Sequence, residues 1–399
     1  MSGVVKKGGF LGSTFLVIAA SAGGGFFELP VFTGIAGIYP SLILTLIVWL
    51  SLLATALLFV EALLHLPDGT HLISMSYVYF GRLGKVVGAC IFTLFFFSVV
   101  ISFYFVVPYA ISFFAGRPFW GYLAICLIFG FIVYLGIKVA DRINFILVAI
   151  FLVASFLFIA LSGRESKVFE ITSHNWNFIF LPIPILFTLF SFHFFIPTLV
   201  SYLGRDVKKI RRVIFWGTFI PFILYCLWEL TVSRFYSKAD LWLMVETKQV
   251  FTPSFRFHPS SMLLDQLGSI IFLFNYLITL IAFSLSFVDM LSDGMKIPVE
   301  ERVGFKRFKV CCLVFIPPLL LITFLPSVAG VLYLFSEFGV FSLVSVIPLL
   351  FVWVSRYRLK SQVPHLVPGG KLMLIFLSVF ICYLFLLQLV DLQLISLTL

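Results

Sequence analysis

Charge is scarce along this chain. Asp, Glu, Lys and Arg make up 11% of its 399 residues, and only 17 residues are acids. A soluble domain carries roughly 25% charged residues. No soluble fold could hide the 62% of apolar residues present here, so a water-soluble globule is excluded. Cysteine is also sparse. Cys90, Cys126, Cys226, Cys311, Cys312 and Cys382 fall inside or at the edges of apolar stretches, with no CxxC pair. That placement argues against a disulfide framework or a zinc site and for small packing residues. No phosphate-binding loop, nucleotide motif or metal constellation is visible, nor a loop cluster of polar residues suited to catalysis. Enzymatic turnover, ATP use and any cofactor are therefore not expected. The net charge of +10 would suggest nucleic acid in a soluble protein. In a chain this apolar it is better explained as a membrane-orientation signal.

Long hydrophobic runs are what the chain does have. Gly8 to Phe27 and Val31 to Val60 each pass without a charge, and about 20 apolar residues suffice for a crossing. Eleven apolar segments stand out, at about 10–38, 40–64, 85–114, 119–137, 143–162, 178–203, 211–233, 261–288, 309–328, 331–354 and 372–391. Lys6 and Lys7 before the first run resemble the start of a signal peptide. The run is too long for one and further spans follow, so a retained first helix is expected. With the N-terminus in the cytoplasm, only Arg117, Arg164, Lys167, Arg234, Lys238, Lys248 and Arg256 of the 27 basic residues fall outside. That bias predicts N-terminus in and C-terminus out. The expected fold class is an all-α polytopic membrane protein, with residues 1–399 forming one transmembrane domain. The longest exposed loop, about 234–260, is too short for a core of its own.

The first run is interrupted. "SAGGGFFELP", residues 21–30, holds three consecutive glycines followed by Pro30. Glycine costs roughly 1 kcal/mol against alanine inside a helix, and an unwound backbone at membrane depth must line a cavity or touch protein. Taken alone, the glycines equally suit close helix packing. A second interruption favours unwinding: "LPIPILFTLFSFHFFIPTLVSYL" carries Pro182, Pro184 and Pro197 around His193. Paired interruptions at matching positions of two halves point to an inverted-repeat transporter. The repeats are expected at about 8–163 and 177–355, with an extra helix at about 371–391. The opposed charged loops are then 66–84 and 234–260. The half-helix after Gly25 would present its positive end and N–H groups at the break, a good seat for a carboxylate. An amino acid or another small anion is the expected solute.

Two ionisable residues are read at mid-depth, Glu28 and His193, where such groups are functional by default. Glu28 either takes part in proton or substrate binding or caps the second half-helix. His193 is either a proton relay and substrate partner or a neutral ring satisfying loose carbonyls. Glu61, Glu229, Asp265 and Asp289 lie nearer segment ends, where interfacial contact or snorkelling is expected. Asp289 is the one of these singled out for test. Phe26, Phe27, Phe192 and Phe194 flank the breaks and could wall an aromatic side chain.

"GGGFFELPVFTGIAGIYPSL", "LLFVEALLHLPDGTHLISM", "SFHFFIPTLVSYLGRDVKKIRRVIFWGTFIPFILYCLWEL" and "SFVDMLSDGMK" occur in that order. They resemble the first helix, second helix, helix six-to-seven block and helix-eight end of the bacterial tyrosine- and tryptophan-specific permeases. The resemblance runs along nearly the whole chain. It implies a proton-coupled importer of aromatic amino acids in the broad amino acid–polyamine–organocation fold, with eleven helices, in the bacterial inner membrane. It carries over the backbone of Ala22, Gly23, Gly24 and Gly25 and His193 as the substrate site, with Asp289 as a family-matching acid. The residues' own placement at the breaks adds Phe26, Ser191, Phe192 and Phe194 to the expected substrate-binding set, and Glu28 joins His193 and Asp289 as coupling candidates. The expected partners are the amino acid, protons and the lipid bilayer, without nucleic acid or an obligate protein partner. The chain departs from the family pattern at Glu28 and at Ser191, Phe194 and Phe195, all in the expected pocket. Rival readings are a serine or threonine carrier and a non-transporting amino-acid sensor.

Overall fold

A computed structural model describes residues 8–110, 118–163, 176–247, 261–327, 339–360 and 362–398. Lys6, Lys7, Arg117, Arg164, Lys167, Lys248 and Arg256 lie outside the described residues. The described chain is helical and contains no strand. Its elements are α1 (Phe10–Ser21), α2 (Leu29–Ala36), α3 (Ile38–Leu64), α4 (Leu72–Ala110), α5 (Pro118–Tyr134), α6 (Ile137–Ser162) and α7 (Ile183–Leu189). They continue with α8 (Ile196–Tyr202), α9 (Val207–Val232), α10 (Lys238–Glu246), α11 (Met262–Gly294), α12 (Gly304–Phe324), α13 (Ile347–Tyr357) and α14 (Gly370–Thr398). Among the described residues eight helical segments are long and apolar enough to cross a membrane. Three shorter apolar helices accompany them: α1, α5 and Gly370–Leu386 of α14.

Local chemistry explains the shorter pieces. α1 ends where Gly23 takes an extended backbone, and a tight 3-10 turn over Gly24–Phe26 leads on to α2. Pro30 sits in the first turn of α2, where its missing N–H costs nothing. Pro182 and Pro184 open α7 in the same way, and Pro197 opens α8. Gly37 at φ +95° lets the chain reverse from α2 into α3 without a side-chain clash. Asp206 caps α9 by accepting from the Lys209 amide at 3.1 Å.

Two expectations about loops are corrected. Residues 66–84 are mostly helix: α4 begins at Leu72 and is kinked at Gly81 (φ +71°, ψ −158°), so Arg82 and Lys85 belong to it. The expected outer loop contains α10, which starts on a reciprocal capping box between Ser237 and Asp240. Asp240 lies outside the spans, and the bonds from Ser237 hold its carboxyl below the usual range.

α1 lies at the centre, packed along α9, α6 and α11. It packs tightly on Gly217 of α9, where an added Cβ would stand 2.5 Å from Val17 Cβ and 3.3 Å from Thr14 O. Val17 branches next to its backbone and cannot swing aside. Gly217→Ala is therefore expected to lower stability by about 1–3 kcal/mol. Thermal melting of the purified protein checks this, and a melting point equal to wild type would show that the seam is loose.

Candidate functional site

Unwinding α1 frees carbonyls that must find donors away from water. The fold supplies them from two helices. Tyr225 of α9 donates its hydroxyl to Ser21 O. Thr279 Oγ1 of α11 lies 2.7 Å from Ala22 O and 3.1 Å from Ala19 O, and Asn275 Nδ2 donates to Gly23 O at 3.1 Å. The first break is thus held open by specific side chains.

The half-helix that leads into the second break, α7, packs against the first break. A Cβ on Gly23 would stand 3.2 Å from Thr188 O, and one on Gly25 would stand 2.8 Å from Ile185 Cγ2. The glycines therefore serve both readings: they unwind the backbone and admit α7 against it. α7 stops at Phe190, Ser191 turns back to give its hydroxyl to Thr188 O at 2.6 Å, and a 3-10 turn spans Phe192–Phe195. Ser286 of α11 donates to Phe194 O. Ser286 Oγ in turn sits 3.2 Å from His71 Nε2. The Leu72 amide donates to His71 Nδ1 at 3.0 Å, so Nε2 carries the ring proton and gives it to Ser286. His71 lies between the spans. Burial, and then the Arg302 charge, holds its imidazole well below the ordinary histidine range.

His193 is fully buried in this turn, with Nε2 3.0 Å from Thr55 Oγ1 of α3. Thr55 gives its one hydroxyl hydrogen to Leu52 O at 3.1 Å. It therefore accepts from Nε2–H, and Nδ1 is left as a bare lone pair. That atom has no hydrogen-bond partner among the described residues.

The aromatic residues are placed as follows. Phe26 stacks on Trp228 with centroids 4.6 Å apart and touches Phe151 at 5.6 Å and Tyr225 at 5.7 Å. Phe194 packs on Phe283 at 4.7 Å, and Phe192 lies beside the His193 ring at 5.0 Å. Phe26, Phe192 and Phe194 are all buried among protein rings. Glu28 is half-buried at the start of α2 and makes no capping bond to that helix, which removes the simple cap reading.

Of the remaining acids, Asp289, Glu61 and Glu229 depart from the interfacial expectation, while Asp265 is half-buried in the first turn of α11. Asp289 accepts from Thr198 Oγ1 at 2.8 Å and faces Arg307 Nη1 at 3.8 Å, tying α8 and α12 to α11. Glu61 is 2% exposed and Glu229 1% exposed, so neither snorkels. Distance from a segment end does not reveal depth inside a bundle. Sequence reasoning also missed Asn275, Thr279 and Ser286. A signal existed: they fall at i, i+4 and i+11 of one apolar helix, a single face. Tyr225, Trp228 and Thr55 offered no comparable mark. Among the described residues no group of three or more His, Cys, Asp or Glu is placed to hold a metal ion.

Comparison with known proteins adds a separate line of evidence. The profile of the tryptophan/tyrosine permease family matches residues 6–388. The "Tyrosine-specific transport system 1" of Haemophilus influenzae is 26% identical, over 92% of this chain and 94% of its own. The "Tyrosine permease" of Enterobacter agglomerans is 27% identical, over 90% and 91% respectively. The "Tryptophan-specific transport protein" of Haemophilus influenzae is 23% identical, over 94% of each. Among solved structures, a manganese transporter of Eremococcus coleocola superposes with a TM-score of 0.59 at 12% identity, over 96% of this chain and 85% of that one. At that identity the likeness shows the fold alone.

Proposed function

We propose, because this chain belongs to the tryptophan/tyrosine permease family, that it imports tyrosine, and secondarily tryptophan, together with protons. The family is one of transport proteins, so the chain is a permease and not an enzyme, and its apolar helices make it a multi-pass protein of the bacterial inner membrane. Within that frame we read eleven crossings with the N-terminus in the cytoplasm and the C-terminus outside. Two inverted five-helix repeats, about 8–163 and 177–355, are followed by the extra helix at about 371–391.

The observation that carries the reading is the packing of the first break on α7, which leads into the second break, with the bare Nδ1 of His193 in that second break. In this reading the substrate ammonium meets His193 Nδ1 and the carbonyls around Ala22–Gly25. Its carboxylate lies against the amides opening the second half-helix. Ser191 and the rings of Phe26, Phe192 and Phe194 border the side chain. Those rings are packed on other rings in this conformation, so binding of a substrate ring accompanies their displacement as the repeats rock. Of the coupling candidates Glu28, His193 and Asp289, the last faces Arg307 and accepts from Thr198, which sets it aside as the proton site.

Uptake of labelled tyrosine into vesicles, with and without an imposed pH gradient, tests the coupling. Accumulation is expected only with the gradient, and equal uptake in both would overturn symport. Competition by Tyr, Trp, Phe, Ser and Thr in the same assay ranks substrates, with Tyr expected first. Stronger competition by Ser or Thr would move the protein to a serine/threonine carrier. Binding without accumulation would make it a sensor.

A further inference from the structure

The fold treats its buried acids unequally. Glu61 is met by two bonds from Arg356, at 2.6 and 2.7 Å, and by the Leu366 amide at 2.8 Å. That is how an ionised carboxylate is accommodated away from water. Glu229 is as deeply buried and has no such shell. Its Oε1 has one long contact, from Thr45 Oγ1 at 3.4 Å, and its Oε2 has no hydrogen-bond partner among the described residues.

Among the described residues no counter-charge compensates it. α9 packs on α1, α2, α3 and α6. α1 brings no titratable group, α2 brings Glu28 at its start, and α3 brings Tyr39 and, near its far end, Glu61, which is matched by Arg356. α6 brings Lys138, Asp141 and Arg142 in its first two turns, at the other end of the bundle, where Asp141 touches Gly12. On α9 itself the neighbours are Tyr225 and Cys226, and Arg234 lies beyond the helix end. Among the described residues none of these forms an ion pair with Glu229. An ionised carboxylate there would be desolvated and unpaired, which a membrane interior penalises heavily. The neutral acid is the form this environment accepts.

Its place in the chain ties it to the first break. Trp228, the preceding residue, stacks on Phe26, and Tyr225, one turn earlier, holds Ser21 O. The stretch of α9 that grips the unwound segment thus also carries the lone carboxyl, against α3 through Thr45. Any rocking of α1 and α2 against α9 and α3 changes what surrounds it.

We propose that Glu229 carries the coupled proton, loaded in this conformation and released when the seam between α3 and α9 admits water. On release the carboxyl O–H bond breaks, the proton passes to water and the carboxylate keeps the electron pair. Reprotonation from the opposite side resets the carrier. His193 then serves the substrate and Glu229 the proton. This assignment rests on the symport reading.

The test uses the full chain in proteoliposomes, wild type and Glu229→Gln, which mimics the neutral acid. Two activities are measured with tyrosine: accumulation driven by a pH gradient, and exchange of labelled for unlabelled tyrosine without one. The variant is expected to keep exchange and lose accumulation. A variant that accumulates tyrosine like wild type overturns the assignment and leaves symport standing. A wild type that ignores the gradient overturns symport itself, and the assignment with it. If Gln abolishes both activities, Glu229→Asp decides: a shifted pH profile of accumulation supports the proposal, and an unshifted profile overturns it.

Discussion

His193→Ala is expected to weaken tyrosine binding and raise the KM for uptake by about 10- to 150-fold. That range corresponds to the ~1.5–3 kcal/mol of a hydrogen bond to a charged group. The argument runs from the tautomer. Thr55 spends its hydrogen on Leu52 O, so it takes the Nε2 proton and leaves Nδ1 as an acceptor in the second break. A bare acceptor buried without a partner is a cost that folding alone does not reward. An ammonium group placed between the breaks would satisfy it. Thr55→Val removes the group that fixes the tautomer, so it should weaken binding in the same direction by a smaller factor without touching substrate. Direct binding measured alongside uptake separates this from a general loss of structure. A His193→Ala protein with wild-type affinity would show that the substrate does not reach Nδ1.

The second large effect lies away from the breaks. Arg356→Met is expected to destabilise the protein by about 3–5 kcal/mol, because it strands the Glu61 carboxylate in a dry site. Arg356 also donates to Val367 O at 3.1 Å, and Glu61 accepts from the Leu366 amide. The pair therefore fastens the stretch between α13 and α14 onto the end of α3. Replacing both partners, Glu61→Leu with Arg356→Met, removes the stranded charge and should recover most of the loss. Thermal melting of the three variants in detergent checks the pattern. A single variant as stable as wild type would mean that water reaches Glu61.

Glu61 and Glu229 show where reading the chain alone reaches its end. Both are acids in apolar helices, and nothing in their neighbours along the chain separates them. Glu61 is matched by a residue 295 positions away, and Glu229 has no cation against it among the described residues. The partners of the first break are equally distant in sequence, with Thr279 of α11 reaching Ala22 across 257 positions. The polar face of Asn275, Thr279 and Ser286 was visible as a pattern, but the surface it faces was not. The stretch 66–84 looked like a loop because of its charges. It is mostly helical because α4 begins at Leu72, where Asp293 of α11 accepts the amides of His71 and Ser74 at 3.1 and 3.2 Å.

What the sequence determined by itself was whatever depends on near neighbours. Low charge and long apolar runs make the membrane class unavoidable, and a glycine triplet with a following proline stops a helix wherever it stands. The paired breaks and the interest of His193 follow from those local facts. Only the tertiary structure decided that α7 packs on the first break, which nitrogen of His193 is bare and which buried acid lacks a cation among the described residues. Burial and hydrogen bonding are set by groups brought together from distant parts of the chain, and the spacing of residues along it does not encode which ones meet.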